Sequence, residues 1–200
     1  MPGKETLKVR KFPVVLLHVL SIGACAEKKS DLREDVTKIL DGWTTRVDAR
    51  AALDKLGRDR VTPLSTIAAD ESEIHQRRWH AILLLGNLAN GESVTALANI
   101  ATSASPVYRC FALQALTETR SERAIQVAVA QLDNNSLCMT SQSTDPAREE
   151  AISVSDVAVR ALETITGKSF EPIQESPAHR AVEPWKKWWH EQAHGASDQK

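Results

Sequence analysis

Aromatic side chains are scarce in this 200-residue chain, which has five tryptophans, one tyrosine and three phenylalanines. Strand-like alternation of polar and apolar residues is missing as well, which argues against a sheet-built core. Clustered basic residues are also missing: no run exceeds two, as at Lys186-Lys187, which stands among tryptophans. Nucleic-acid binding draws on many phosphate contacts from Lys and Arg, so this composition makes a poor nucleic-acid binder. No glycine-rich phosphate loop and no G-x-S-x-G elbow occurs, so two common routes to catalysis have no basis in the sequence. The apolar run Phe12 to Leu20 is nine residues long, against the roughly 20 needed to span a bilayer.

What is present begins with an ordered N-terminal segment. Lys4, Lys8, Arg10 and Lys11 precede the apolar run, and small residues follow it. Basic, apolar, small is the order of a secretory signal. Leu20-Ser21-Ile22-Gly23-Ala24-Cys25 also resembles the lipobox of bacterial lipoproteins, with an aliphatic residue three before the cysteine. The resemblance implies that residues 1–24 are a signal peptide, that Cys25 carries lipid and begins the mature chain, and that 25–30 form a short tether. Three acyl chains would hold firmly, since each buried CH₂ contributes about 0.8 kcal/mol. Ala26 rather than Asp follows the cysteine, and in an organism with two membranes the family's sorting tendency then favours the outer one. Two other readings stay open. Ala24-Cys25-Ala26 is an A-x-A pattern that allows cleavage after Ala26 and a free periplasmic product, and the apolar run also reads as a buried strand.

Residues 1–24 hold four of the 25 basic and one of the 26 acidic residues, so the remainder carries 21 against 25, about −4. Those 176 residues make one domain by length. Beyond Cys25 the cysteines are Cys110 and Cys138. An even pair in an oxidising compartment can bridge, whereas Cys110 lies in an apolar helical stretch where a buried free thiol is equally ordinary. The sequence leaves that choice open.

Alanine and leucine recur at helical spacing, and the recurrence has a longer period. Arg78 to Leu85 matches Arg109 to Leu116 at a shift of 31 residues. Ala52 and Leu56-Gly57 align with Ala81 and Leu85-Gly86 at a shift of 29; Ala158 and Ala161-Leu162 align with Ala112 and Ala115-Leu116 at a shift of 46, one period plus an insert. Periods of this order mark stacked units that cannot bury their apolar faces alone. The pattern A-x-x-x-L-G, a short turn and V-x-x-L, carried best by Ala81 to Gly86, Asn90-Gly91 and Val94 to Leu97, resembles the HEAT-repeat family in its short, phycobilin lyase-like variety. That resemblance covers roughly residues 45–167. It implies an all-α, right-handed α–α superhelix of about four helical hairpins, filling residues 31–167.

Helices are expected near 31–42, 45–57, 61–69, 72–89, 92–102, 106–118, 122–132, 146–166 and 184–193. Asp31 with Glu34 resembles a capping box. Ser105-Pro106 and Asp145-Pro146 read as helix starts, Gly167 as a stop, and Gly86 with Asn90-Gly91 as turn chemistry. A polar insert over 133–145 breaks the rhythm and reads as a loop, either a tolerated insertion or a place for specificity. The last part, 168–200, contains a loop and a Trp-rich helix. Its ending resembles the Thr-Gly-Lys-x-Phe segment and Trp-rich helix of bacterial HEAT-type proteins, which implies a hydrophobic cap on the last repeat.

His190-Glu191-Gln192-Ala193-His194 is a literal H-E-x-x-H, the spacing that sets two imidazoles on one helical face with a carboxylate between them. Catalytic zinc needs a third protein ligand, and only Asp198 follows downstream. The diiron HEAT-like hydroxylases carry His-Glu pairs on successive repeats, whereas this chain has one such pair and none on an inner repeat. No catalytic residue, metal or cofactor is therefore assigned. Arg77, Arg78 and Arg109, the last two at equivalent repeat positions, are either a ladder of ion pairs between repeats or a basic stripe for an acidic partner. The expectation is a non-enzymatic, lipid-anchored protein of the bacterial cell envelope that binds or scaffolds another protein. The alternatives are a metal enzyme using His190, Glu191 and His194, and a carrier of small molecules or tetrapyrroles.

Overall fold

The computed structural model describes residues 32–140, 151–170 and 182–195. The lipobox with Cys25, the Asp31 and Asp145-Pro146 helix starts and Asp198 lie outside them. The described chain is mostly helical. In order it comprises α1 (residues 32–41), α2 (Arg46–Asp54), a 3₁₀ turn (Arg58–Arg60), α3 (Val61–Ala69), α4 (His75–Leu88), α5 (Gly91–Ser103), α6 (Pro106–Thr119), α7 (Glu122–Ala130), β1 (Leu137–Thr140), β2 (Ala151–Ser153), α8 (Val154–Thr166) and α9 (Val182–Gly195). Among the described residues no helix is long and apolar enough to cross a membrane.

Three helical hairpins, α3/α4, α5/α6 and α7/α8, form the body. The second helices pack in the order α4–α6–α8, and the first helices in the order α3–α5–α7. Alanines and leucines fill the seams: Ala81, Leu84, Leu85, Ala112, Leu113, Leu116, Ala158 and Leu162 are all buried. Small residues let the helix backbones approach closely. At Gly86 a Cβ would meet the Ala115 carbonyl at 2.7 Å and its Cβ at 2.9 Å. Gly86 is therefore a packing glycine inside α4, not the turn residue expected from its place in the motif. The turn is made by Ala89, which closes α4 at φ 50°.

Helix starts follow local chemistry. Asn90 and Ser93 form a capping box on α5, Ser153 and Asp156 another on α8, and the Thr45 and Ser121 hydroxyls accept from N–H groups of α2 and α7. Ser105 and Pro106 open α6 as expected, and Gly167 at φ 67° ends α8.

Three further expectations are corrected. The insert is not a plain loop: Leu137–Thr140 and Ala151–Ser153 pair antiparallel, so the described residues include a small two-stranded sheet. The helix expected over 146–166 begins only at Val154. Ala151, Ile152 and Ser153 are in the strand instead, because the Ser153 capping box is the stronger start signal. The helix expected near 45–57 ends at Asp54, so Leu56-Gly57 lie beyond α2 whereas Leu85-Gly86 lie within α4. Arg50 of α2 donates to the Asn87 carbonyl near the end of α4 (2.5 Å), and Arg46 pairs with Glu118 of α6 (2.5 Å). α2 therefore lies across the C-terminal ends of α4 and α6 rather than along α4. α9 packs on α7 and α8 with Trp185 fully buried.

Candidate functional site

The second helices α4 and α6 carry a continuous cluster of rings. His80 is 3% exposed and stacks on Trp43, centroids 4.0 Å apart and planes 18° from parallel. Its Nδ1 lies 3.2 Å from the Leu40 carbonyl oxygen. A carbonyl only accepts, so Nδ1 carries the proton. Trp79 touches His80 (5.3 Å) and Phe111 (6.3 Å). Phe111 in turn meets His75 (6.0 Å) and Tyr108 (6.2 Å). The tyrosine hydroxyl bonds His75 Nδ1 at 2.9 Å, and the Arg78 guanidinium sits 3.5 Å over the tyrosine ring. Of these rings His80 and Tyr108 are buried, Trp43 and Phe111 half-buried, and His75 and Trp79 exposed, the indole of Trp79 to 38%. The i, i+4 pair His75 and Trp79, and the i, i+3 pair Tyr108 and Phe111, were the signal available in the sequence; the rarity of aromatics made it easy to pass over.

The three arginines of the expected basic stripe have separate jobs. Arg77 grips Asp41 of α1 through Nε (2.6 Å) and Nη2 (2.9 Å), and Glu73 through Nη1 (2.9 Å). These bonds raise the Arg77 pKa, and the same guanidinium holds the Asp41 carboxyl below the usual carboxylate value. This is an ion pair between elements, as the ladder reading expects. Arg78 is 5% exposed, and its Nε donates to the Ala68 carbonyl at 3.3 Å. Arg109 is half-buried and donates from Nε to the Ala104 carbonyl at 2.6 Å. Each closes the carbonyl end of the preceding helix, where backbone acceptors otherwise lack partners. In the third hairpin Ser155, at the shift of 46 from Arg109, donates from Oγ to the Leu132 carbonyl at 2.7 Å. Arg78 and Arg109 are thus staples within hairpins, and their partners are carbonyls rather than the acidic side chains expected.

Other features carry less chemistry. A groove of about 1130 Å³ runs between the starts of α3 and α5, lined by residues including Arg60, Thr62, Ser65 and Thr95. Its hydroxyls turn back into their own helices: Ser65 donates to the Val61 carbonyl and Thr95 to that of Gly91. On α9, His190 and Glu191 are exposed, and Glu191 lies 4.0 Å from Lys187. The His194 side chain lies outside the described residues. Among those described, no three metal-ligating side chains converge. Trp185 meets Phe170 (4.8 Å) and Trp188 (5.4 Å) edge-on, and Lys186 bonds Asp133 at 2.6 Å and Glu183 at 2.9 Å. Cys110 of α6 and Cys138 of β1 are joined in a disulfide, Cα atoms 6.4 Å apart, which answers the question the sequence left open. No protein-family model matches the chain, and no curated protein matches it.

Proposed function

We propose that this chain is a lipid-anchored, HEAT-like α–α superhelix of the bacterial cell envelope that binds another protein and catalyses no reaction. The observation that carries the reading is Trp79, an exposed indole held in place by rings on two successive second helices. Trp, Tyr and Arg dominate binding hot spots because a large, pre-positioned side chain gains contact area without losing much freedom. Behind Trp79 stand Phe111, Tyr108 and Arg78, and this backing fixes the indole before any partner arrives. The hairpins α3/α4, α5/α6 and α7/α8, packed in chain order, support the repeat architecture. Burial of Trp185 supports a capping role for residues 168–200. The Cys110–Cys138 bridge supports an oxidising compartment and leaves Cys25, of three cysteines, for the lipid.

Cross-linking in intact cells followed by capture tests the reading. The wild type is expected to hold one protein in stoichiometric amount, and Trp79→Ala to lose most of it while keeping its helical circular dichroism. Undiminished capture by that variant rejects this face, and no partner on the wild type rejects the binding reading. Cys25→Ser is expected to move the protein to the soluble fraction; unchanged fractionation rejects the anchor. Stoichiometric zinc on the purified protein, lost in His190→Ala together with a hydrolytic activity, would favour the metal-enzyme alternative.

A further inference from the structure

Among its described residues, the insert between α7 and α8 holds little that would order it alone. Its strands are four and three residues long, and an isolated two-stranded hairpin is marginal at best in water. The ladder is also interrupted: Leu137 pairs with Ser153 and Met139 with Ile152, so Cys138 is the extra residue of a bulge. A bulged residue adds nothing to the ladder and is free to be re-aimed. Here it points at α6 and bonds Cys110. The neighbouring Leu137 is 65% exposed, while Met139 and Ile152 only lean on the core. At the base, Val154 N–H donates to the Ser136 carbonyl (3.0 Å) and Ser155 N–H to that of Asn134 (2.8 Å).

The other end of the bridge is different. Cys110 is fully buried within α6, between the packed helices α4 and α8. A free cysteine there is a small apolar side chain that fills the same space. The helices therefore have little need of the bridge, and the insert depends on it.

We infer that the Cys110–Cys138 disulfide is a redox-operated clamp: oxidised, it docks the insert hairpin on α6; reduced, it releases the hairpin while the helical body stays folded. Closing the clamp takes one proton from each thiol and two electrons from the pair. The acceptor is the disulfide of a thiol oxidoreductase or of a small oxidised thiol, which leaves as two thiols. Opening is the reverse exchange with a dithiol. Both sulfur-bearing residues are buried, so a reductant reaches the bond only during brief local openings around it, and the clamp stays shut in an oxidising space. The surface around Leu137 is then presented only after oxidation. This inference is independent of the binding reading.

Hydrogen exchange on the full chain, read peptide by peptide, tests it. In Cys138→Ser the amides of β1 and β2 are expected to exchange at least about tenfold faster than in the oxidised wild type, with those of α4 and α6 within about twofold. Folded, oxidised wild type treated with a phosphine reductant should show the same split, and alkylation of Cys110 and Cys138 should report the opening. If the strands keep their protection in either sample, the clamp is refuted. If α4 and α6 lose protection along with the strands, or Cys138→Ser does not fold, the bond is a staple of the whole fold and the inference also fails.

Discussion

Trp185 and Trp79 are the same side chain in two opposite settings. Trp185 is the largest fully buried residue, edge-on to Phe170 and Trp188, on a helix that covers α7 and α8. Trp79 belongs to an equally dense group of rings, with Trp43, Tyr108 and Phe111, yet leaves more than a third of its surface in water. Around Trp185 the packing is complete because that indole meets only protein, although Trp188 and Trp189 beside it are half-buried. The Trp79 group is not complete in that sense, although rigid neighbours hold it. In a chain with nine aromatics, the contrast separates a side chain that stabilises the fold from one available to a partner.

The contrast breaks most decisively through Trp185. Trp185→Ala empties a fully enclosed site, and the expected loss is about 3–5 kcal/mol, measured by urea unfolding. A loss under about 1 kcal/mol would mean that α9 does not seal the body. Next comes Arg78→Ala, which removes a buried charged donor from the Ala68 carbonyl and a cation from the Tyr108 ring. The expected cost is about 2–3 kcal/mol. It should also slacken the rings behind Trp79, read as a shift in indole fluorescence. Trp79→Ala itself should cost only about 1 kcal/mol, in keeping with a half-exposed position, and its main effect should fall on binding. Equal losses for Trp79→Ala and Trp185→Ala would erase the distinction.

Much of this was legible beforehand, for a physical reason. Helices advertise themselves through periodic Ala and Leu and through local signals such as the Ser105-Pro106 start and the Asn90-Gly91 turn, all of which depend on near neighbours in the chain. The burial of Trp185 was legible because Trp185 and Trp188, three residues apart, share one face of a helix. What stayed hidden depended on distant partners. The sheet needed Ala151 to pair with Thr140, and the disulfide needed α6 and the bulge at Cys138 to meet. The direction of the Arg78 and Arg109 side chains was equally hidden. A basic residue at a repeat position reads the same whether it faces a carboxylate, a partner or a helix end, and only the packed hairpin decides.

The smallest expected effect separates the two regions by pH. Near the Trp79 group, Arg77 holds Asp41 with its pKa below the ordinary 3.8. A depressed carboxylate stabilises the fold above its unfolded value, and the contribution disappears as the pH falls from 3.8 through the lower folded value. Beside Trp185, Lys186 is raised above its ordinary 10.5, first by its bond to Asp133 and then by Glu183. A raised lysine stabilises the fold fully below the unfolded value and ceases to do so as the pH climbs through the higher folded one. Both pairs are solvent-screened, so each difference is small. Asp41→Asn should therefore be slightly less stable than wild type at neutral pH and converge with it on the acid side. Lys186→Gln should converge with it on the alkaline side, past 10.5. Stability curves measured across pH for both variants check this. If Asp41→Asn kept its deficit on the acid side, or Lys186→Gln kept its deficit past 10.5, the ion pairs would not be the source of the differences.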